Sequence, residues 1–398
     1  MTVSDARAVL PQGRAEGSEA GLGDWVDLIT PLYAGKLMPA AQVDVLRRTH
    51  QAFPVRTIRR AGEVSPFAYA AERQLDDLVI RGNGREYDLY DYVFRNRVAG
   101  LLICHRGKVV HEQYELGLTP ETHWVSMSMA KSVAATLVGA AIRDGFIGSV
   151  EQPLTDYLPE LKGGGYDGVS IRHLLQMTSG VKWDDLHLDP RSERRRMLEL
   201  QLQQRPGAIL RYMSSLPRVA EPGTRWNYST GETHVVGALV HAATGKWLSD
   251  YLSEKLWSRL GMEQDAYWWL EAPEGLEVAG SGISATLRDF ARFGRFAMGD
   301  GTIGGERVLP EGWLREACGS RMIGRERLDY GYMWWVVPDF SGSLEDGAFS
   351  ARGIFGQYLY MNPREDILIC VLSSRAKPQH SEAILDNDFF NSVLEALR

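Results

Sequence analysis

One segment limits the possible folds of this chain more than any other, namely the apolar run that follows Ser128. After Lys131 it reads Ser-Val-Ala-Ala-Thr-Leu-Val-Gly-Ala-Ala-Ile and ends near Gly145. A helix that is apolar almost all round belongs inside a core. The segment therefore predicts a large globular unit with a buried central helix.

A possible catalytic pair stands at the start of this helix. Ser128 and Lys131 form a Ser-x-x-Lys motif, and residues three apart share a helix face. A serine hydroxyl is a weak nucleophile until a base takes its proton. Burial favours neutral lysine, which is the form that can act as this base. With Ser126 as the predicted N-cap, unpaired N–H groups of the first turn would face an oxyanion. The alternative is that Ser128 only caps a core helix.

The motif has little specificity by itself, because it occurs three times. The copy at Ser179 and Lys182 passes through a glycine in a turn-like Thr-Ser-Gly. The copy at Ser374 and Lys377 runs into a proline, which disfavours helix before it. Ser128 alone opens a long helix, so it is the candidate nucleophile.

Composition excludes several classes of function. The 398 residues carry a net charge of -7, which argues against nucleic acid or an anionic membrane as a partner. No apolar run is long enough for a membrane span, and the first residues lack the apolar core of a secretory signal. The three cysteines do not resemble a disulfide framework, and the nine histidines show no metal-ligand spacing. We therefore expect a cytoplasmic protein without cofactor or metal.

The pattern of elements predicts an α+β fold. Residues 98–114 read as a hairpin, and 331–337, 357–361 and 367–372 read as further strands. Short links favour antiparallel pairing. We expect an antiparallel sheet of about five strands flanked by helices, with a mostly helical region inserted.

The same pattern predicts how the chain is divided. Residues 1–23 are expected to be a flexible leader, followed by one two-lobed unit over 24–398. The α/β lobe would comprise about 24–125 and 280–398, and the mostly helical lobe about 126–279. The charge run from Arg191 to Arg196 is predicted to be a solvated helix face.

A second informative stretch surrounds Tyr228. Ser229 and Glu232 match a capping box, and the apolar helix after them ends at Gly245. Tyr228 then lies in irregular backbone just before a helix, where a phenol can be directed at a site.

Three segments in this order resemble the serine hydrolases of the class C β-lactamase and penicillin-binding-protein superfamily, particularly its 6-aminohexanoate-dimer hydrolase and carboxylesterase branch. They are Val125 to Ser132, Tyr228-Ser229-Thr230 and Gly353 to Gln357. The resemblance covers roughly residues 95–398 and implies the β-lactamase/transpeptidase-like fold.

The resemblance also implies roles for individual residues. Ser128 would be the acylated nucleophile, and Lys131 and Tyr228 would share the base role. Either neutral Lys131 takes the serine proton, or Tyr228 relays it to the leaving group. The oxyanion hole would be formed by the backbone N–H groups of Ser128 and Ile354, and Gly353 allows close backbone approach there.

Departures from the family pattern bear on the substrate. Ala351-Arg352-Gly353 stands where penicillin-recognising relatives carry Lys-Thr-Gly, and Thr230 replaces a common asparagine. Both changes favour small esters or linear amides over β-lactams. Acyl transfer by the same acyl-enzyme, β-lactamase or peptidase activity, and a non-catalytic binding module remain alternatives.

Further pocket residues are predicted less directly. His187 is the choice for substrate contact in Trp183 to His187, although a solvated loop is the alternative. Trp334 or Trp335 would wall the acyl pocket, and Trp334 is the first choice. A homodimer is possible by analogy with the relatives.

Overall fold

The structure is a computed structural model that describes residues 23–71, 75–82, 84–337 and 347–398. The predicted leader lies outside these ranges except for Gly23, whose N–H donates to Ala52 O. The helices of the described chain are α1 (Ile29–Tyr33), α2 (Pro39–Arg48), α3 (Leu89–Arg95), α4 (Ala130–Arg143), α5 (Ile171–Leu175), α6 (Glu193–Leu202), α7 (Ala208–Ser215), α8 (Thr230–Thr244), α9 (Leu248–Leu252), α10 (Leu287–Met298), α11 (Trp313–Ala317) and α12 (Asp386–Leu397).

The strands form one large sheet and several small ones. Their bounds are β1 (Val55–Ile58), β2 (Ala68–Tyr69), β3 (Ile80–Gly82), β4 (Arg85–Tyr87), β5 (Val98–His105), β6 (Lys108–Tyr114), β7 (Trp124–Val125), β8 (Ala266–Trp269), β9 (Ile283–Ala285), β10 (Thr302–Ile303), β11 (Glu306–Arg307), β12 (Arg321–Ile323), β13 (Glu326–Leu328), β14 (Trp335–Val336), β15 (Phe349–Gly353), β16 (Gln357–Asn362) and β17 (Ile367–Ser373).

The large sheet joins the two ends of the chain. Its order is β14-β15-β16-β17-β5-β6-β2, and every neighbouring pair is antiparallel except β2 with β6. At its centre β17 pairs with β5, with Ile369 opposite Ile103. A second sheet, β1-β8-β9-β7, leads into the helix α4. The predicted α+β architecture is confirmed, with seven strands in the large sheet instead of about five.

The predicted burial of the central helix is also confirmed. Every residue of α4 from Ala130 to Ala141 is buried, and the helix packs against α8. One hydrophobic core contains α4, α8, α10 and one face of the large sheet. A second core lies on the other face, under α3 and α12. The large sheet is therefore covered by helices on both sides.

The strand predicted over residues 331–337 is mostly wrong. Only Trp335 and Val336 form β14, and the chain bends at Tyr332 and Met333, with Met333 at φ +59°. Gly331 passes so close to Ala317 that an added Cβ would lie 1.7 Å from that carbonyl oxygen. The close contact with α11 bends the chain away from strand geometry.

Gln357 connects the turn after β15 to the rest of the core. Its side chain is fully buried and accepts from Trp124 Nε1 at 3.0 Å and from the Ser373 N–H at 3.1 Å. It donates to Ile354 O at 3.2 Å and to Ser373 O at 2.8 Å. This one amide therefore satisfies groups on three separate segments.

Replacing Gln357 by Leu is expected to lower the free energy of unfolding by at least about 2 kcal/mol, because each buried group left unpaired costs about 1–3 kcal/mol. Urea denaturation measures the change. The control is Gln379→Leu, since Gln379 is exposed. Equal stability of the two variants would contradict this role of Gln357.

Candidate active site

Ser128 lies in a tight turn between β7 and α4. Residues Met127–Met129 form a 3₁₀ turn, and Met127 has φ +46°, in the left-handed region that is costly for a non-glycine residue. Met127 is fully buried, so its surroundings hold this conformation. Ser126 does not cap the helix as predicted, because its hydroxyl donates to Met127 O instead. The turn thus presents Ser128 at the end of a buried helix.

Lys131 contacts the serine hydroxyl directly. Its Nζ lies 2.8 Å from Ser128 Oγ and 2.9 Å from Gly280 O. The side chain is only 1% exposed. Burial lowers the pKa of Lys131 to about 7, an effect that Asp185 opposes and Arg194 reinforces. A substantial fraction of this lysine is therefore a neutral amine near neutral pH.

Tyr228 completes the group around Ser128. The ammonium nitrogen of Lys131 lies 5.0 Å from the centre of the Tyr228 ring. Burial, with the negative charge of Asp185, raises the pKa of Tyr228 above its ordinary value, and a side-chain hydrogen bond with Ser128 acts in the opposite direction. The phenol therefore keeps its proton at a pH where Lys131 has begun to lose one.

Only half of the capping box predicted beside Tyr228 is present. Ser229 Oγ accepts from the Glu232 N–H at 3.1 Å, but the Glu232 carboxyl accepts from Ser179 Oγ. Burial raises the pKa of Glu232 to about 8. The helix α8 still begins and ends as predicted, with Gly245 at φ +67° after its last residue.

The end of β15 forms the opposite wall of the site. An added Cβ on Gly353 would lie 2.5 Å from Ser126 O, so only glycine allows this strand to approach the nucleophile turn. The N–H of Ile354 donates to no backbone carbonyl in the described part of the chain. Gly353 and Ile354 therefore lie where the sequence analysis expected a close backbone approach and an N–H group directed at an oxyanion.

These residues surround a cavity of about 610 Å³. Its aromatic wall includes Tyr228 and Trp335, whose rings stack at 5.6 Å. The complete lining comprises Ser128, Asp185, Leu186, His187, Trp226, Asn227, Tyr228, Trp335, Arg352, Gly353, Ile354, Gly356, Tyr358, Arg375, Pro378, Gln379, His380, Ser381 and Glu382.

The choice of Trp334 as a pocket wall is wrong. Trp334 is fully buried, stacks on Phe293 at 6.2 Å and meets Phe349 edge-on at 5.3 Å. Trp335 lines the cavity, whereas Trp334 faces the core.

His187 lines the cavity, as predicted for a substrate contact, but it is not part of a solvated loop. It is 5% exposed, and burial lowers its pKa to about 3, so the ring is neutral at neutral pH. Behind it, Arg194 is buried and lies over the Tyr33 ring at 4.7 Å. The predicted solvated face over 191–196 is therefore wrong at Arg194.

Asp185 is a central residue of the site that the sequence did not single out. Trp183 Nε1 and the Thr230 N–H donate to its Oδ2 at 2.7 and 2.6 Å, and Thr230 Oγ1 donates to Oδ1 at 3.1 Å. Burial opposes ionisation, but nearby cationic side chains and the Thr230 N–H hold the pKa of Asp185 below its ordinary value. A fixed negative charge thus lines the same cavity as Ser128 and favours the ammonium form of Lys131.

The described ranges contain neither a candidate metal site nor a candidate membrane-spanning helix. No three His, Cys, Asp or Glu side chains there are grouped so that they could hold a metal ion. None of the helices described above has the length and apolarity needed to cross a membrane.

The chain belongs to the Beta-lactamase family, whose model matches residues 91–388. With this fold and family it is a serine hydrolase.

Among its relatives, the 6-aminohexanoate-dimer hydrolase of Paenarthrobacter ureafaciens is 30% identical over 344 residues, which cover 80% of this chain and 85% of that protein.

Two solved structures show the same fold. A Bacillus anthracis protein provisionally named a 6-aminohexanoate-dimer hydrolase has a TM-score of 0.77 and 22% identity, covering 94% of this chain and 95% of its own. A hydrolase with promiscuous acyltransferase activity has a TM-score of 0.59 and 16% identity, covering 77% and 96%.

The pKa of Lys131 leads to an expected pH dependence. Acylation by an aryl ester should rise with pH through about 7, because the ammonium form below that pH cannot accept the Ser128 proton. Stopped-flow measurement of the acylation rate from pH 5 to 9 tests this. Glu232→Gln is the control, since Glu232 also titrates near this range but does not line the cavity. A rate independent of pH down to 5 would exclude Lys131 as the titrating base.

Proposed function

We propose that this chain hydrolyses small esters or linear amides through an acyl-enzyme on Ser128. The observation that carries the proposal is the 2.8 Å contact between Ser128 Oγ and the buried amine of Lys131. A serine hydroxyl becomes a strong nucleophile when an adjacent base takes its proton. The neutral fraction of Lys131 supplies that base near neutral pH.

The different proton affinities support separate roles for the two candidate bases. Lys131 would take the proton of Ser128, because Tyr228 already holds its own proton. Tyr228 would then donate to the departing alcohol or amine and recover a proton from Lys131. Lys131 Nζ lies 5.0 Å from the centre of the Tyr228 ring, and at this separation we expect the two titrations to be coupled. Water would attack the acyl carbonyl in the second half of the reaction.

Backbone groups would stabilise the oxyanion. The donors would be the N–H groups of Ser128 and Ile354, which both line the cavity, and Gly353 allows β15 to approach the nucleophile turn. Donors that are already in place when negative charge develops are among the most effective features of acyl-transfer sites. The close approach of β15 to the nucleophile turn supports this assignment.

We expect linear substrates to be preferred over β-lactams. Ala351 occupies the place of the lysine that holds a β-lactam carboxylate in the relatives. The relative from Paenarthrobacter is named for a linear amide substrate, which agrees with this preference. A chromogenic cephalosporin turned over faster than simple esters would count against the proposal.

The part of the cavity wall formed by Arg352 favours a negative charge on the substrate. The guanidinium of Arg352 lines it, lies 5.3 Å from the centre of the Trp335 ring, and donates to Ser350 Oγ at 2.9 Å. No carboxylate of the described residues forms an ion pair with it. We therefore include esters and amides that carry a carboxylate among the preferred substrates.

The compartment proposed is the cytoplasm. The cysteines Cys104, Cys318 and Cys370 are all free thiols, which agrees with a reducing environment. Fractionation of the producing cells tests this location.

Ser128→Ala should abolish turnover of p-nitrophenyl acetate and butyrate, because no acyl-enzyme can form. Lys131→Ala and Tyr228→Phe should each lower the rate at least about 100-fold, as loss of general acid–base catalysis commonly does. Burst kinetics and intact-protein mass measure both effects. Near-normal activity in either of the latter variants would refute the roles assigned to them.

Arg352→Gln should lower kcat/KM for the mono-p-nitrophenyl ester of a dicarboxylic acid by about 10-fold or more, because a charge-assisted hydrogen bond is worth about 1.5–3 kcal/mol. For neutral p-nitrophenyl acetate the change should stay within about 3-fold. Arg364→Gln, at an exposed arginine outside the cavity, is the matched control. An equal loss on both esters would refute carboxylate recognition by Arg352.

A further inference from the structure

The loop that carries Asp185 holds both sides of Tyr228. On one side, Asn227 Nδ2 donates to Trp183 O at 3.0 Å. On the other side, the N–H and hydroxyl of Thr230 donate to the Asp185 carboxylate at 2.6 and 3.1 Å. Tyr228 therefore has its backbone fixed by a segment more than forty residues earlier in the chain.

The carboxylate itself is held by several donors. In addition to Thr230, Trp183 Nε1 donates to it at 2.7 Å, and His187 Nε2 lies 3.5 Å from Oδ1. The Asp185 side chain is 12% exposed and lines the cavity that contains Ser128. A carboxylate with this many donors is fixed in position and stays ionised.

Four groups define the charge around Lys131. Asp185 favours its ammonium form, and the buried guanidinium of Arg194 disfavours it. His187 and Tyr228 also face this space, but both are neutral at neutral pH. Burial is the main cause of the lowered pKa of Lys131, and one anion and one cation then modify that pKa in opposite directions.

We propose that Asp185 is a positioning residue of this site, which fixes the backbone around Tyr228 and supplies the counter-charge to the ammonium that Lys131 becomes on taking the Ser128 proton. The inference rests on the proposed acyl-enzyme function. It adds a carboxylate to the Ser128, Lys131 and Tyr228 group, acting through Lys131 and Tyr228 and not on the substrate carbonyl.

Asp185→Asn separates this role from a structural one. The substitution keeps the shape of the side chain and removes its charge, so the pKa of Lys131 should fall. The acid limb of kcat/KM for p-nitrophenyl acetate should move to lower pH by about 0.5 to 1 unit, since one nearby charge shifts a pKa by this order. The plateau value of kcat/KM should fall about 10-fold or more, because the backbone around Tyr228 is held less firmly and the ammonium of Lys131 loses its counter-charge.

Arg194→Met provides the opposite test. Removing this cation should raise the pKa of Lys131 and move the same limb to higher pH. A structural role would not predict shifts of opposite sign from the two variants. Asp189→Asn is the matched control, because Asp189 lies on the same loop, pairs with exposed Arg191 and is outside the cavity. Asp189→Asn should leave both the acid limb and the plateau value of kcat/KM unchanged.

The outcomes also separate this inference from the function on which it rests. Absence of an acyl burst in the wild type would refute the proposed function itself. A wild-type burst with an unshifted acid limb in Asp185→Asn would refute only the role of Asp185. Thermal unfolding of each variant shows whether it is folded. If Asp185→Asn is unfolded, Arg194→Met decides whether charge near Lys131 determines the position of the acid limb of kcat/KM, and an unshifted limb in that variant would refute it.

Discussion

The removal of Lys131 from water is the condition on which the site depends. An exposed lysine is an ammonium at neutral pH and cannot accept a proton from serine. Here the amine is enclosed by the apolar helix α4, the Tyr228 ring and Gly280 O, and its pKa falls to about 7. The large core around α4 thus has a chemical consequence as well as a structural one, because its size is what makes the lysine a base.

Enclosing the site requires backbones to approach closely. The nucleophile turn carries a left-handed Met127, and β15 touches this turn at Gly353, where a side chain would collide with Ser126 O. Gln357 then connects the following turn to Trp124, just before the nucleophile. Strain at Met127 persists because these contacts from several segments fix the turn together.

The sequence predicted best the features that depend on short spacing. Ser128 and Lys131 meet because three residues on a helix share a face, and α8 starts where its capping serine stands. The strong apolar character of α4 correctly predicted its burial.

The features that the sequence did not predict depend on contacts between residues far apart in the chain. Asp185 meets Thr230 forty-five residues later, and Ser179 takes the Glu232 carboxyl from the expected capping box. The sequence predicted Trp334 as the cavity wall, but Trp335 has that position. The close contact of Gly331 with α11 determines where the bend ends and the strand begins.

The pairing of β5 with β17 has a consequence for biosynthesis. These central strands lie more than 260 residues apart in the chain, with Ile103 opposite Ile369. During translation, the apolar strand β5 emerges long before β17, its partner in the sheet, and ribosomes add only about 5–20 residues per second. The nascent chain therefore carries exposed apolar surface for many seconds. The serine and lysine are synthesised early, whereas Tyr228, Gly280 and Gly353, which enclose them in the folded protein, are synthesised much later, so the nascent protein holds its reactive group in an inert form until most of the chain has been made.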